Sequence, residues 1–231
     1  MDEQSGQPLI DELAEFCARV LGRGDAAMQA AEEARGRAAG DDRVQLLAAA
    51  AAACRAREVE PRPPKPLPPR VPAPAAGAEP HGLAQAVAGE LASATARLPQ
   101  RQREALALRE LLGLSHDQIA RVIGIDAVAV APLLARARLR LRSQLRGDVP
   151  VHPGCAERER SLRVIARRQD TEPVAADDTT WLMDHLGHCS ACNQAHAAML
   201  EASVCYRAWR EPAGERSGVD GGEPGTGSAA D

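Results

Sequence analysis

The chain has 231 residues, a formal net charge of −4, 2% aromatic residues and six cysteines. That length and so few aromatic core fillers exclude one large core and favour several small modules packed with Leu, Val and Ala. No segment is long and apolar enough to cross a membrane and the N-terminus lacks a basic stretch followed by an apolar core, so a cytoplasmic chain is expected.

Residues 7–60 read as helix throughout. Leu9, Leu13, Phe16, Val20 and Leu21 follow helical spacing, and Asp25 and Asp41 are cap candidates for two further helices. Seven arginines against twelve acids in the first sixty residues leave this part negative, which disfavours contact with a nucleic-acid strand. Residues 61–80 hold nine prolines in twenty, so an extended, semi-rigid spacer is expected. The sharper alternative is a proline-rich ligand for another domain.

Residues 82–146 spell a helix-turn-helix. Pro99 suits the first position of a helix and Gly113 its left-handed end. Ser115 and Gln118 match the S-x-x-Q capping box of a short second helix, which Gly124 breaks before Asp126 caps a third. An ordinary helical hairpin would carry the same caps. Charge separates the two readings: ten arginines stand against four acids from Arg97 to Arg146, in a chain that is acidic elsewhere. On the third helix Val130, Leu134, Ala137, Leu141 and Leu145 form an apolar stripe. Arg136 and Arg140 flank it on one side, and Arg138, Arg142 and Arg146 on the other.

The string LPQRQREALALRELLGLSHDQIARVIGIDAVAVAPLLARARLRLR resembles the fourth conserved region of bacterial RNA polymerase sigma factors of the extracytoplasmic-function group. The resemblance implies a role in transcription initiation, with the last helix in the major groove of a promoter element. It makes His116, Gln118, Arg136, Arg138, Arg140 and Arg142 the candidate DNA contacts. Ala131, Pro132 and Leu133 stand where family members place basic or hydroxyl side chains, and they carry no donors or acceptors for base edges. The arginines suit phosphates better than bases, so weak or relaxed promoter recognition is expected. Pro132, about six residues inside the helix, costs on the order of 3 kcal/mol there, so a kink or a later helix start is expected. The order of the N-terminal helices resembles the second conserved sigma region, which docks on polymerase and melts DNA. Phe16 is the only aromatic before the linker, so a degenerate region without melting activity is expected.

Residues 151–210 hold His185-x3-Cys189-x2-Cys192, with Cys155 thirty residues before His185. The i, i+4 spacing puts His185 and Cys189 on one helix face, and C-x2-C lets two thiolates reach one ion, so a closed structural Zn2+ site of Cys155, His185, Cys189 and Cys192 is expected. His152 is close enough to substitute for Cys155. The pattern resembles the zinc-binding anti-sigma domain, here fused in cis, and implies regulation, including release of zinc on oxidation of Cys189 and Cys192. His188 and His196 read as surface or packing histidines and Cys205 as a buried thiol. Residues 211–231, rich in Gly, Ser and acid, are expected to be disordered.

The expectation is therefore an all-α chain of three helical modules. It acts with RNA polymerase core and promoter DNA, under the control of a zinc module. The alternative is an interaction protein that binds another sigma factor or polymerase without reading DNA. An enzyme has little support, because no phosphate-binding glycine loop and no nucleophile in a recognisable context occur.

Overall fold

The computed structural model describes residues 7–22, 24–37, 42–57, 80–147 and 154–209, and all regular structure among them is helical. Of the expectations above, the cap at Asp41, nearly all of the proline-rich spacer, the substitute ligand His152 and the tail 211–231 lie outside the described residues. No single described helix is long and apolar enough to cross a membrane.

The first three helices, α1 (Gln7–Leu21), α2 (Asp25–Arg37) and α3 (Arg43–Ala56), pack on one another. Helix α1 buries Leu13, Phe16, Cys17 and Val20 on one stripe. Helix α2 buries Ala27, Ala30, Ala31 and Ala34, and its small side chains let the neighbouring helices approach closely. Asp42 caps α3 by accepting from the Val44 N–H at 2.9 Å, one position after the expected Asp41.

Helix α4 (Pro80–Ala96) leads to α5 (Gln100–Leu106), where Pro99 is the N-cap rather than the first helical residue. A single π-helical turn, Ala107–Leu111, continues α5, with the Leu112 N–H donating to the Ala107 carbonyl at 3.2 Å. Gly113, at φ 68°, ends it as expected. Helices α6 (His116–Ile123) and α7 (Ala127–Arg146) follow. Then come α8 (Arg158–Gln169), α9 (Ala176–His188) and α10 (Ser190–Ala208).

The modules do not keep separate cores. One cluster of buried side chains joins Phe16, Leu47, Leu106, Ile119, Leu134 and Leu141 to Tyr206 and Trp209, so the N-terminal helices, the helix-turn-helix and the end of α10 share an interior. Helix α3 packs directly on α6, and Arg55 of α3 reaches the buried Glu104 carboxylate of α5 at 2.9 Å. A second cluster unites Leu162, Ile165, Leu182 and Met199 with Ala131, Ala135 and Leu139 of α7.

Candidate nucleic-acid interface and metal centre

The helix-turn-helix is built by local chemistry. Ser115 Oγ accepts from the Gln118 N–H at 3.3 Å, and Gln118 Oε1 accepts from the Ser115 N–H at 2.9 Å, closing the capping box. Gly124, at φ 74°, ends α6 in the left-handed conformation, and α7 leaves at 93° to it. Asp126 is the N-cap of α7, as expected, but its side chain makes no capping hydrogen bond. Pro132 neither delays nor ends α7, which runs on for twenty residues from Ala127. As the sixth residue of α7 it lies past the four N–H groups that are unpaired at any helix start, so the helix continues without the bond to the Val128 carbonyl.

Helix α7 buries two stripes. Val130, Leu134, Ala137 and Leu141 face the interior of the helix-turn-helix, as their spacing predicts. Ala131, Ala135 and Leu139, four residues apart in turn, form a second stripe seated against the C-terminal helices. Of the three residues that lack donors for base edges, Ala131 thus lies in an intramolecular contact surface, while Leu133 packs, partly buried, on the first cluster.

The candidate DNA contacts are distributed around that contact. Arg138 is fully buried: its Nε donates to Glu110 Oε1 at 2.9 Å, and its Nη1 donates to Asp170 Oδ2 at 3.2 Å. His116 is buried as well, with Nε2 at 2.8 Å from Asp170 Oδ2, and its backbone N–H donates to Glu172 Oε1 at 2.8 Å. The Gln118 carboxamide is engaged by the capping box. Arg142 Nε and Arg146 Nε both donate to Glu201 of α10, at 3.4 and 2.8 Å. Arg136 is exposed, 3.7 Å from Glu159, and Arg140 is half-buried. His116 and Arg138 therefore face the C-terminal helices rather than solvent in this arrangement.

Asp170, at the C-terminal end of α8, is the hub. Burial works to raise its pKa, but the hydrogen bonds from His116 and Arg138 and the charges of Arg138 and Arg109 outweigh it and hold the carboxyl down at about 2. The same bonds keep the Arg138 guanidinium charged against a burial that works to lower its pKa. Thr171 follows at φ 56°, a strained conformation for a β-branched residue, and its hydroxyl donates to the Asp170 carbonyl at 2.6 Å. This turn brings both Asp170 and Glu172 to α6.

The π turn sets Arg109 and Glu110, adjacent in sequence, against the same module. Arg109 Nε donates to Asp170 Oδ1 at 3.2 Å, while Glu110 accepts from Ser203 Oγ at 2.7 Å and Arg207 Nε at 2.6 Å. None of Glu110, Asp170, Glu172 and Glu201 stands out in the sequence. The surplus of acid outside the helix-turn-helix signals the charge of Asp170, Glu172 and Glu201 but not their address, and Glu110 lies within the helix-turn-helix itself.

Cys155, His185, Cys189 and Cys192 come together with all four ligand atoms within 4.8 Å of one another. Cys155 lies just before α8, His185 on the last turn of α9, Cys189 at the break between helices and Cys192 on the first turn of α10. A tetrahedral ion with Zn–S bonds of 2.3 Å needs sulfurs about 3.8 Å apart, so the cluster is of the right size, and four protein ligands make a closed site. Hydrogen bonds, first from the Cys192 backbone, lower the pKa of the Cys189 thiol. Burial first, with the neighbouring cysteines, pushes Cys192 up to about 12. Trp181 stacks on the His185 ring, centroids 5.0 Å apart and planes 15° from parallel, and the Arg160 guanidinium lies 4.0 Å over Trp181. This stack fixes the imidazole edge toward the thiols, as an outer shell does around a metal ligand.

Residues 88–141 match the family model described as Sigma-70, region 4, a span from within α4 through most of α7. A search of curated proteins and a search of solved structures each return no match. The helix-turn-helix of this chain is therefore similar to sigma-70 region 4, a non-enzymatic module that contacts promoter DNA and RNA polymerase core.

Proposed function

We propose that the chain is a sigma-factor-like regulator of transcription initiation whose helix-turn-helix is held closed in cis by a zinc-bearing C-terminal module. The observation that carries this reading is the seating of Ala131, Ala135 and Leu139 of α7 on the C-terminal helices, with Asp170 bound to His116 and Arg138. A helix so covered cannot enter a major groove, so DNA binding requires the module to move.

The zinc ion would organise α8, α9 and α10 through Cys155, His185, Cys189 and Cys192. Metal supplies folding free energy to a module too small to hold itself together. Loss of the ion, including by oxidation of Cys189 and Cys192, would loosen the module and expose α7. Helices α1 to α3 are the surface offered to polymerase core. The arginine-rich, base-blind α7 favours positioning on phosphates over sequence readout, hence relaxed promoter specificity.

A second reading is favoured by one observation, the burial of His116 and Arg138. On that reading the closed helix-turn-helix no longer meets DNA, and the chain is an interaction protein for a sigma factor or polymerase. Promoter-dependent transcription with core polymerase tests the first reading. Initiation after zinc removal supports it, and no initiation with or without zinc removes it. Titrating salt against promoter and random duplexes separates the two, since a reader keeps a sequence preference that a mere polycation lacks.

A further inference from the structure

The contacts between the C-terminal module and the helix-turn-helix fall into two kinds. Arg138, Glu110 and Asp170 meet with their side chains at zero exposure, so no mobile anion reaches them. Glu172 and Glu201 differ: Glu172 is half-buried, and the Glu201 side chain is 33% exposed. Their partners are of the kind that binds phosphate. Glu172 takes the backbone N–H of His116, the first residue of α6, where unpaired N–H groups and the helix dipole favour an anion. Glu201 is gripped by two guanidinium groups one turn apart on α7, Arg142 and Arg146, as a single phosphate would be.

We propose that Glu172 and Glu201 are phosphate surrogates, each occupying a position on the helix-turn-helix where a nucleic-acid backbone phosphate would bind. The module and a duplex then compete for one set of donors. The proposal rests on the cis-closed reading above and adds to it the two exchangeable contacts. Those contacts are solvent-reachable, so a polyanion can replace them one at a time while the Asp170 hub still holds. Glu201 is suited to the part: burial works to raise its pKa, but the Arg146 hydrogen bond and charge outweigh it, so the carboxyl stays ionised as a phosphate does. Thr171, strained beside Glu172, shows that the turn is held in place by its surroundings rather than by local preference.

The test uses the full-length, zinc-loaded protein and a fluorescent random duplex of about 30 base pairs, read by anisotropy across a salt titration starting near 50 mM. Glu172→Ala with Glu201→Ala is expected to bind roughly tenfold or more tighter than the parent while retaining its zinc. A control with the same charge change, Glu32→Gln with Glu90→Gln on exposed positions, is expected to stay within about twofold of the parent. Adding Arg142→Ala and Arg146→Ala to the first double variant is expected to cancel most of the gain and to lower the salt slope by about two, because the same donors hold both anions.

A gain that survives loss of the two arginines overturns the surrogate role of Glu201, since it would reflect mere loosening of the interface. A chelator-treated parent that binds the duplex while Glu172→Ala with Glu201→Ala does not overturns the proposal and leaves the cis-closed reading standing. Absence of duplex binding in every arm overturns both. Circular dichroism of each variant verifies that helix content is retained.

Discussion

The guanidinium of Arg138 and the carboxylate of Asp170 meet with both side chains fully buried, Nη1 to Oδ2 at 3.2 Å, although one belongs to α7, within the span similar to sigma-70 region 4, and the other to the C-terminal module. Glu110 completes the site along the adjacent Nε–Nη2 edge of the guanidinium. Removing one member of such a network leaves uncompensated charge in the interior. Arg138→Ala is therefore expected to lower the unfolding free energy by about 3–5 kcal/mol, measured by urea titration, whereas Arg136→Ala, exposed at the helix surface, is expected to change it by less than about 0.5 kcal/mol.

The same hub predicts an acid limit. Asp170 titrates near 2 in the folded chain against an ordinary 3.8. A depressed carboxylate contributes stability that is fully present above its unfolded value and is lost as pH falls through the folded one. The contribution, about 2 kcal/mol, is therefore expected to be intact above about pH 4 and to vanish toward pH 2. Stability curves of the parent and Asp170→Asn are expected to converge over that window. Curves that stay parallel down to pH 2 would remove Asp170 as the source.

Metal binding has its own signature. One Zn2+ per chain is expected by elemental analysis, and His185→Ala or Cys189→Ser is expected to lose most of it. Trp181 stacks on His185, so its fluorescence is expected to change on chelation, and Trp181 with Trp209 are the two tryptophans in the chain. Trp209→Phe isolates the signal. Metal-free protein is expected to lose helix in α8 to α10 by hydrogen exchange, because the ion's binding free energy, roughly 10–16 kcal/mol in small zinc modules, is also folding free energy. Full protection there without metal would contradict a structural role.

The end of α10 is anchored on the N-terminal helices. Arg19 of α1 is buried, lies 3.8 Å over the Trp209 ring and donates to the Trp209 carbonyl at 2.8 Å. Trp209→Ala is expected to cost about 3–5 kcal/mol, and Arg19→Met less, since it retains most of the packing volume. Hydrogen exchange is expected to rise in both α1 and α10 of Trp209→Ala. A rise confined to α10 would show that the anchor does not hold α1.

The parts of the fold legible in the residues are those whose partners lie within a turn or two along the chain. Ser115 finds Gln118 three residues on, Gly124 ends a helix through its own φ, and the stripe from Val130 to Leu141 follows from helical period alone. The Cys/His cluster was legible for a related reason: three of its four residues fall within eight positions, and a thiolate–imidazole set has few other uses. Cap placement at Asp42 rather than Asp41 slipped by one position, because adjacent aspartates offer the same oxygen.

Charge and apolarity announce a need without naming what meets it. An arginine on α7 is satisfied equally by a phosphate or a carboxylate, so Arg138, Arg142 and Arg146 read as nucleic-acid contacts until Asp170, Glu110 and Glu201 are brought beside them from as far as 59 residues away. Ala131, with Pro132 and Leu133, likewise read as an absence of base readers, and Ala131 became part of a seat for α8 and α10, together with Ala135 and Leu139, only when those helices were placed against it. Local geometry is encoded by neighbours along the chain; the choice among chemically equivalent distant partners belongs to packing, because only the folded interior sets which carboxylate arrives within hydrogen-bonding distance.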